Sequence, residues 1–173
     1  HSSKIYSLDK QFPKKTLKNL LPNITEIKCD ITNQKKIKEI FRKIFLKEKS
    51  IDVLINNAGI SLALQKKNQL YSKKKWLQTI NVNMAGSFYC SNEAIKYMLK
   101  KRNGSIINIT SIHSELGFPR NPAYNASKGG LKMLGKALAK DWSKFGIRVN
   151  NIGPGYINTG MSSKRFANKK NRL

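Results

Sequence analysis

The sequence predicts an α/β protein built on a doubly wound parallel sheet, and two observations carry that prediction. Five short runs rich in β-branched residues alternate along the chain with longer helical patterns. Three of those runs lead directly into polar or glycine-rich residues, as expected where parallel strands end at a ligand-binding edge. Because 173 residues suffice for one core and no repeat or linker divides the chain, we assign residues 1–173 to a single domain.

Each element has its own signal in the sequence. The strand candidates, in chain order, are residues 4–8, 24–28, 51–55, 105–110 and 147–152. The first helix is predicted over residues 33–48, where Asn33 can cap the start. One face of that helix carries its apolar residues Ile37, Ile40, Phe41, Ile44 and Phe45. Two longer helices are predicted at about 76–101 and 122–144, and Gly146 follows the second as a typical C-terminal glycine.

The net charge of +25 raises the hypothesis of a nucleic-acid-binding protein. Base reading and bidentate phosphate binding favour arginine, whereas the 34 basic residues comprise 28 Lys and only 6 Arg. The lysines are scattered and accompanied by 18 Asn, a pattern typical of an AT-rich coding sequence. We therefore expect a solvated basic surface and no specific nucleic-acid partner, and we keep nucleic-acid binding as the least favoured alternative.

The compartment is predicted to be the cytoplasm. No apolar run approaches the roughly 20 residues that cross a bilayer, and the first residues lack a signal-peptide pattern, so we expect no membrane partner. Cys29 and Cys90 are far apart and show no metal-binding spacing, which is consistent with a reducing compartment and with the absence of a metal.

The residues after three strand candidates should meet in one crevice. Residues 51–55 run into Asn56-Asn57-Ala58-Gly59, and residues 105–110 lead to Ser111. The last strand candidate ends at Gly153-Pro154-Gly155. Since the carboxyl ends of parallel strands share one edge of a sheet, these residues are the predicted binding site.

A tyrosine and a lysine on one helical turn are the strongest candidates for chemistry. Four Tyr-x-x-x-Lys pairs occur, so the spacing alone carries little information in a lysine-rich chain. The pair Tyr124/Lys128 differs from the other three because a serine at a strand end, Ser111, lies thirteen residues before its tyrosine. A free tyrosine has a pKa of about 10, and a nearby ammonium favours the phenolate, so we expect Lys128 to lower the pKa of Tyr124. Such a phenol can exchange a proton with an alkoxide.

Taken together, Asn-Asn-Ala-Gly at 56–59, Asn83, Ser111, Tyr124-x-x-x-Lys128 and Pro154-Gly155 occur in an order and spacing that resemble the short-chain dehydrogenase/reductase family. The resemblance runs from about Lys4 to Met161 and is similar to both 3-oxoacyl-(acyl-carrier-protein) reductases and sugar or polyol dehydrogenases. It implies a Rossmann-like sheet and an NAD(P)-dependent oxidoreductase that transfers a hydride between a nicotinamide cofactor and a secondary alcohol or ketone. The implied substrate is a small-molecule or acyl-carrier-bound carbonyl compound, and the full-length form is expected to be a homodimer or homotetramer.

The resemblance also assigns residue roles. Tyr124 would be the acid/base, Lys128 would assist it and hold the nicotinamide ribose, Ser111 would hydrogen-bond the substrate oxygen, and Asn83 would anchor a water in a proton relay. The implied cofactor-binding residues are Asp9, Asp30, Ile31, Asn57, Ala58, Gly59, Tyr124, Lys128, Pro154, Gly155, Ile157 and Thr159. Asp9, ending the second family strand, can accept from an adenosine ribose hydroxyl and modestly favours NAD, whereas the adjacent Lys10 could accept the phosphate of NADP.

Two departures from the family pattern stand out. The sequence has no Gly-x-x-x-Gly-x-Gly and begins at what resembles the family's second strand, and the final strand is not found either. We therefore expect a fragment truncated at both ends, with impaired cofactor binding and turnover. Its sheet should show a gap, or a pairing foreign to the family, between the first and third strand candidates.

Two further interpretations were considered, of which the first stays open and the second is disfavoured. A non-catalytic binding protein that kept the fold is the main alternative. His113 and Glu115 lie near Ser111 and suggest a Ser–His–acid hydrolase, but the G-x-S-x-G elbow is absent. We expect both to be loop residues, with His113 a candidate for facing substrate.

Overall fold

The computed structural model describes residues 3–12, 22–62 and 69–157. The strands are β1 (Ile5–Asp9), β2 (Ile24–Lys28), β3 (Val53–Asn56), β4 (Gly104–Ile109) and β5 (Ile147–Ile152). The helices are α1 (Gln34–Glu48), α2 (Lys73–Ile80), α3 (Ser87–Lys101) and α4 (Pro122–Trp142). All strand pairings among them are parallel, so the predicted α/β class is confirmed. Thr159 lies outside the described residues.

The strands form two separate sheets. β1 pairs with β2, while β3, β4 and β5 form a second sheet in that order. Within the described residues no hydrogen-bonded pairing joins β1 to β3, which is the gap that the family strand order predicts. Observed strand ends differ from the predicted ones by at most two residues, because β3 begins only at Val53.

The first helix confirms its sequence signals. Asn33 adopts an extended backbone, and its side chain accepts a hydrogen bond from the Lys36 amide at 3.0 Å. The apolar face packs into the core with Ile37, Ile40 and Phe41 buried. The helix ends at Lys49, a left-handed residue whose amide donates to the Phe45 carbonyl.

The second predicted helix is longer than expected and irregular. It begins at Lys73, behind the capping side chain of Ser72, and continues to the end of α3. Between α2 and α3 the turn Asn81–Gly86 is π-helical, which the apolar periodicity did not predict. Such turns widen a helix locally and are frequent at functional sites. A β-carbon at Gly86 would lie 2.6 Å from the Ile31 side chain, so the glycine allows this turn to pack against the loop after β2.

Helix α4 carries Tyr124 and Lys128 toward the edge of the sheet. Pro122 occupies its first turn, where a missing amide hydrogen has no consequence for the helix. A short 3-10 turn, Ser143–Phe145, follows it, and Gly146 then adopts a φ of +76° as the predicted helix-ending residue. A β-carbon at Gly146 would also lie 2.1 Å from the Arg102 carbonyl oxygen, so the position requires glycine on two counts.

The core lies on one face of the three-stranded sheet. Ile106, Ile147 and Val149 are buried there against α3 and α4, and α1 packs beside α3. On the other face Val53, Ile55 and Ile152 are each at least half exposed among the described residues. None of the helices in the described ranges is both long and apolar enough to span a membrane.

Candidate active site

Ser111 is held at the carboxyl end of β4 by a compact turn. Its hydroxyl accepts a hydrogen bond from the His113 amide at 3.2 Å, and its own amide donates to the Ser114 hydroxyl at 3.2 Å. These reciprocal bonds cap the 3-10 turn Ile112–Ser114 and fix the backbone of Ser111. The side chain is buried, and its hydroxyl lies close enough to the Tyr124 phenol to lower the pKa of that phenol.

Tyr124 and Lys128 lie one helical turn apart, on the side of α4 that faces Ser111. The Lys128 Nζ lies 5.7 Å from the centre of the Tyr124 ring. It donates a hydrogen bond of 2.6 Å to the Ile109 carbonyl at the end of β4. Lys128 is only 4 % exposed, which is unusual for lysine, and the strand carbonyl satisfies one of its three donors. The structure therefore brings Ser111, Tyr124 and Lys128 together at the predicted edge of the sheet.

The expectation that Lys128 lowers the pKa of Tyr124 is wrong for this structure. Burial raises the pKa of Tyr124 above its ordinary value of 10.0, and the hydrogen bond from Ser111 only opposes that rise. Burial also lowers the pKa of Lys128 to about 8. Removing a phenol and an ammonium from water disfavours the charged form of each, and burial is the leading cause of both pKa shifts. At neutral pH the pair is therefore a neutral phenol beside an ammonium.

Asn83 ties the π-helical turn to the loop after β3. Its Oδ1 accepts from the Ile60 amide at 2.8 Å, and its Nδ2 donates to the Ile60 carbonyl at 2.9 Å. The same Nδ2 donates to the Ser127 hydroxyl at 3.0 Å, and that hydroxyl donates to the Tyr124 carbonyl at 2.8 Å. Asn83 is fully buried and both its N–H donors are used within the protein. Its expected role in holding a water stays a prediction.

Gly59 lies at the centre of this arrangement. A β-carbon there would be 3.5 Å from both Asn83 Oδ1 and Lys128 Nζ. The loop after β3, the π-helical turn and α4 thus converge on one point. Asn57 and Ala58, the two residues before Gly59, are exposed at the same edge of the sheet.

Two buried asparagines, Asn56 and Asn108, and the half-buried Asn151 form a ladder behind the site. Asn56 Nδ2 donates to Asn108 Oδ1 at 2.9 Å, and Asn108 Nδ2 donates to Asn151 Oδ1 at 3.0 Å. Asn56 also donates to Ser91, and Asn151 donates to the Lys132 carbonyl. Because these residues are paired in register on β3, β4 and β5, the ladder aligns the three strand ends from which the site residues follow. Asn56 therefore has a structural role, while Asn57 and Ala58 remain open to a ligand.

The residues expected near the adenosine lie at the end of β1 and after β2. Asp9 is exposed and accepts a hydrogen bond from the Gln11 amide at 3.0 Å. Asp30 accepts from the amide and hydroxyl of Thr32 and, at 3.0 Å, from Lys10 Nζ. These contacts, led by the Thr32 amide, lower the pKa of Asp30 to about 2. Lys10 is thus directed at Asp30, while Ile31 is buried against the π-helical turn.

The loop after β5 runs beside Ser111. The Pro154 carbonyl accepts from the Ile112 amide at 3.0 Å, which joins this loop to the turn after β4. Gly155 has open space where a β-carbon would stand, and Ile157 is 59 % exposed. The loop is thus joined to the turn that carries Ser111, and the expected contact of Pro154, Gly155 and Ile157 with the nicotinamide stays a prediction.

Sequence reasoning missed three groups that organise the site. The Ile109 carbonyl and the Ser127 hydroxyl orient Lys128 and Asn83, and Asn125 holds His113 with a contact of 2.6 Å. A backbone carbonyl has no sequence signature. Ser127 and Asn125 flank Lys128 and Tyr124 on α4, and only their adjacency to that pair could have indicated them.

Comparison with known proteins agrees with this geometry. A family model described as short chain dehydrogenase matches residues 7–170. A 3-oxoacyl-(acyl-carrier-protein) reductase from Thermotoga maritima is 39% identical over 138 residues, which are 78% of this chain and 54% of that protein. A 3beta-hydroxysteroid dehydrogenase from Mediterraneibacter gnavus is 35% identical over 147 residues, covering 85% and 52%. The chain spans about half the length of these two curated relatives.

A solved structure is similar over nearly the whole chain. It is a gluconate 5-dehydrogenase from Burkholderia cenocepacia J2315 in complex with NADP and tartrate, with a TM-score of 0.87 and 25% identity. The similarity covers 98% of this chain and 68% of that one. Since the family model matches residues 7–170, this chain belongs to the short chain dehydrogenase family.

Proposed function

We propose that the chain carries the catalytic part of an NAD(P)-dependent oxidoreductase that acts on a secondary alcohol or ketone. One observation carries the proposal: the Tyr124 phenol lies close enough to the Ser111 hydroxyl for that hydroxyl to lower its pKa, and the Nζ of the buried Lys128 lies 5.7 Å from the Tyr124 ring centre. Hydride transfer to a carbonyl carbon needs a proton donor at the developing alkoxide, and a phenol paired with a hydroxyl supplies one. Of the four Tyr-x-x-x-Lys pairs, this is the one beside the turn that carries Ser111.

The residues present fit a nicotinamide dinucleotide. The Lys128 ammonium has two N–H donors beyond the one used by Ile109, and both suit the hydroxyls of a ribose. Gly155 leaves open space, and a β-carbon at Gly59 would only make ordinary contact with Lys128, at 3.5 Å from Nζ. Lys128, Tyr124, Pro154, Gly155 and Ile157 would hold the nicotinamide side. When bound, the cofactor supplies or accepts the hydride at its C4 carbon.

The chain's own groups handle the proton. The raised pKa of Tyr124 keeps the phenol protonated at neutral pH, so it can donate its proton to a substrate oxygen as negative charge develops. The Ser111 hydroxyl, fixed by its capping bonds, donates a second hydrogen bond to that oxygen. In the oxidation direction Tyr124 takes the proton back, and the Lys128 ammonium stabilises the phenolate that this requires.

For the cofactor and the substrate we propose only a preferred type and a chemical class. Asp9 and Asn57 would face the adenosine ribose, with Asp30, Ile31 and Ala58 nearby. NAD is modestly favoured, because Asp9 offers a carboxylate and Lys10 is engaged with Asp30 rather than free to bind a phosphate. The named relatives favour a small-molecule or acyl-carrier-bound carbonyl substrate. We propose a homodimer or homotetramer of the full-length form, in the cytoplasm.

Substitution of Tyr124 by Phe tests the function. Since the chain spans about half of its curated relatives, the assay places residues 4–157 in the framework of the Thermotoga maritima reductase. Tyr124→Phe should lower turnover about 10²- to 10⁴-fold while dinucleotide binding persists, because only the proton donor is lost. Tyr97→Phe is the matched control: Tyr97 belongs to another Tyr-x-x-x-Lys pair and stacks on Phe45 away from the crevice.

The same assay separates the alternatives. Equal turnover of the Tyr124→Phe and unsubstituted chimeras would refute the proposed role of the phenol. A folded chimera that binds dinucleotide but turns over neither ketones nor alcohols would identify a non-catalytic binding protein.

A further inference from the structure

The Tyr124 ring is flanked by an imidazole that the proposed chemistry does not use. The His113 ring lies edge-on to Tyr124, with 5.1 Å between ring centres and an angle of 88°. The centre of the Phe118 ring lies 4.2 Å from that of His113, with an angle of 30° between the ring planes. These contacts hold the imidazole against the proposed acid/base, in the turn that also positions Ser111.

Hydrogen bonds set which imidazole nitrogen carries the hydrogen. The His113 Nδ1 lies 2.6 Å from Asn125 Oδ1, and Asn125 Nδ2 donates to the Phe118 carbonyl at 2.7 Å. Reversing the amide would place its oxygen against the Phe118 carbonyl oxygen, so the network fixes the orientation of Asn125. Because an amide oxygen only accepts, Nδ1 must donate. In the neutral imidazole Nε2 then carries a lone pair.

The Nε2 atom is open to a ligand. Among residues 3–12, 22–62 and 69–157 no group hydrogen-bonds it. Every fully buried side-chain nitrogen or oxygen in those residues has a partner, so the unpartnered Nε2 reaches solvent. An acceptor is therefore presented beside Tyr124.

We propose that Asn125 is a positioning residue that locks His113 as the Nδ1–H tautomer, and that His113 Nε2 accepts a hydrogen bond from a substrate hydroxyl close to the reacting carbon. The inference rests on the proposed oxidoreductase function and narrows its substrate class. A hydroxyl can donate to Nε2, whereas the oxygen of a 3-oxoacyl thioester can only accept. The site thus favours a polyhydroxylated substrate, such as a sugar, polyol or hydroxy acid, over an acyl thioester.

Nitrogen NMR of the 173-residue chain tests the lock without any assay of turnover. The chain has two histidines, so a His113→Gln spectrum identifies the signals of His1. At a pH of about 8.5, long-range proton–nitrogen spectra should show His113 Nδ1 protonated and Nε2 unprotonated. Asn125→Leu removes the acceptor and should shift the ring toward the Nε2–H form. Asn125→Asp keeps an acceptor and should restore the Nδ1–H form.

Two NMR outcomes would overturn the lock: an Nε2–H tautomer in the unsubstituted chain, or an unchanged tautomer after Asn125→Leu. The tautomer proposal can therefore fail while the proposed role of Tyr124 holds. The role of Tyr124 can also fail while the tautomer proposal holds, because Tyr124→Phe leaves the hydrogen bonds of His113 and Asn125 in place.

The substrate inference is tested by a ratio of rates in the chimera. His113→Phe keeps a ring between Phe118 and Tyr124 but lacks Nε2. It should lower kcat/KM for an α-hydroxy ketone, and it should lower kcat/KM for the matching ketone without the hydroxyl much less. We expect the two losses to differ at least about tenfold, which corresponds to about 1.4 kcal/mol of binding to the hydroxyl. An equal loss for both ketones, or no loss for either, would overturn the substrate inference.

Discussion

Lys128 is a buried ammonium whose burial costs the folded state stability. Its pKa falls from an ordinary 10.5 to about 8, so the folded state disfavours the charged form below pH 8. That shift corresponds to at most about 3 kcal/mol, and the hydrogen bond to Ile109 offsets about 1 kcal/mol of it. We therefore predict that Lys128→Met stabilises the chain at pH 7 by about 1–2 kcal/mol, measured by urea unfolding.

The sign of the pH dependence is specific. Between pH 8 and 10.5 Lys128 is protonated in the unfolded chain but mostly deprotonated in the folded chain. The free energy of unfolding of the unsubstituted chain therefore increases with pH in this range, whereas this contribution is absent from the Lys128→Met variant. The gain from Lys128→Met should thus shrink toward pH 10. Lys136→Met, at an exposed position on the same helix, is the control and should show no such convergence. A variant that is destabilised at pH 7 would contradict the prediction.

At the scale of residues, the sequence predicted which side chains lie close together better than it predicted their pKa values. Tyr124 could be singled out because Ser111 precedes it at a strand end, and the structure places the two in contact. The direction of the Tyr124 pKa could not be derived, because it depends on burial by surrounding elements. The expectation considered only the neighbouring charge, and desolvation is the larger effect here.

At the scale of elements, α4 is held against the sheet by a glycine at the asparagine ladder. A β-carbon at Gly135 would lie 2.2 Å from Asn151 Oδ1 and 2.8 Å from Asn108 Nδ2. Both side chains are committed to hydrogen bonds across the strands and cannot move without leaving a polar group unpaired. We predict that Gly135→Ala destabilises the chain by about 2–4 kcal/mol in urea unfolding, although alanine favours helices.

Gly129→Ala is the matched control on the same helix. No atom lies within 4 Å of the β-carbon it would add, so the gain in helix propensity should stabilise the chain by up to about 1 kcal/mol. If the two substitutions shifted stability in the same direction by similar amounts, the ladder would not be the reason for glycine at 135.

The ends of two helices were predicted from the sequence, whereas the π-helical turn was not. Asn33 and Gly146 marked the ends of helices correctly, since capping depends on local chemistry. The π-helical turn at Asn81–Gly86 has the same apolar periodicity as its flanks. What accompanies it is a set of distant contacts, from Asn83 to Ile60 and from Gly86 to Ile31, which no local pattern reveals.

For the whole molecule, topology was predictable because family order determines which strands are neighbours. The break between β1 and β3 among the described strands agrees with the lack of a Gly-x-x-x-Gly-x-Gly pattern in the sequence, and the parallel register of β3, β4 and β5 followed from alternating elements. The open face that Val53 and Ile55 share could not be read from their sequence, since apolar runs in parallel sheets are equally apolar on both faces.

Charge is the other property of the whole molecule, and it yields a prediction. Its 34 basic and 9 acidic residues give a net charge of +25, which repels itself in the compact state. The ion pairs seen among the described residues each have a partner at least a quarter exposed, and they contribute little. Raising NaCl from about 20 mM to about 300 mM shortens the screening length severalfold, so the melting temperature should rise by several degrees.

Charge reversal separates screening of repulsion from other effects of salt. Lys74→Glu with Lys136→Glu, both at exposed helix positions, lowers the net charge from +25 by four units to +21. The double variant should melt at a higher temperature than the unsubstituted chain in low salt, and its melting temperature should respond less to NaCl. Glutamine at both positions removes half as much charge and should lie between the two. A melting temperature that falls with salt, or a salt response that the reversal leaves unchanged, would show that local ion pairs rather than global repulsion dominate the electrostatics of this fold.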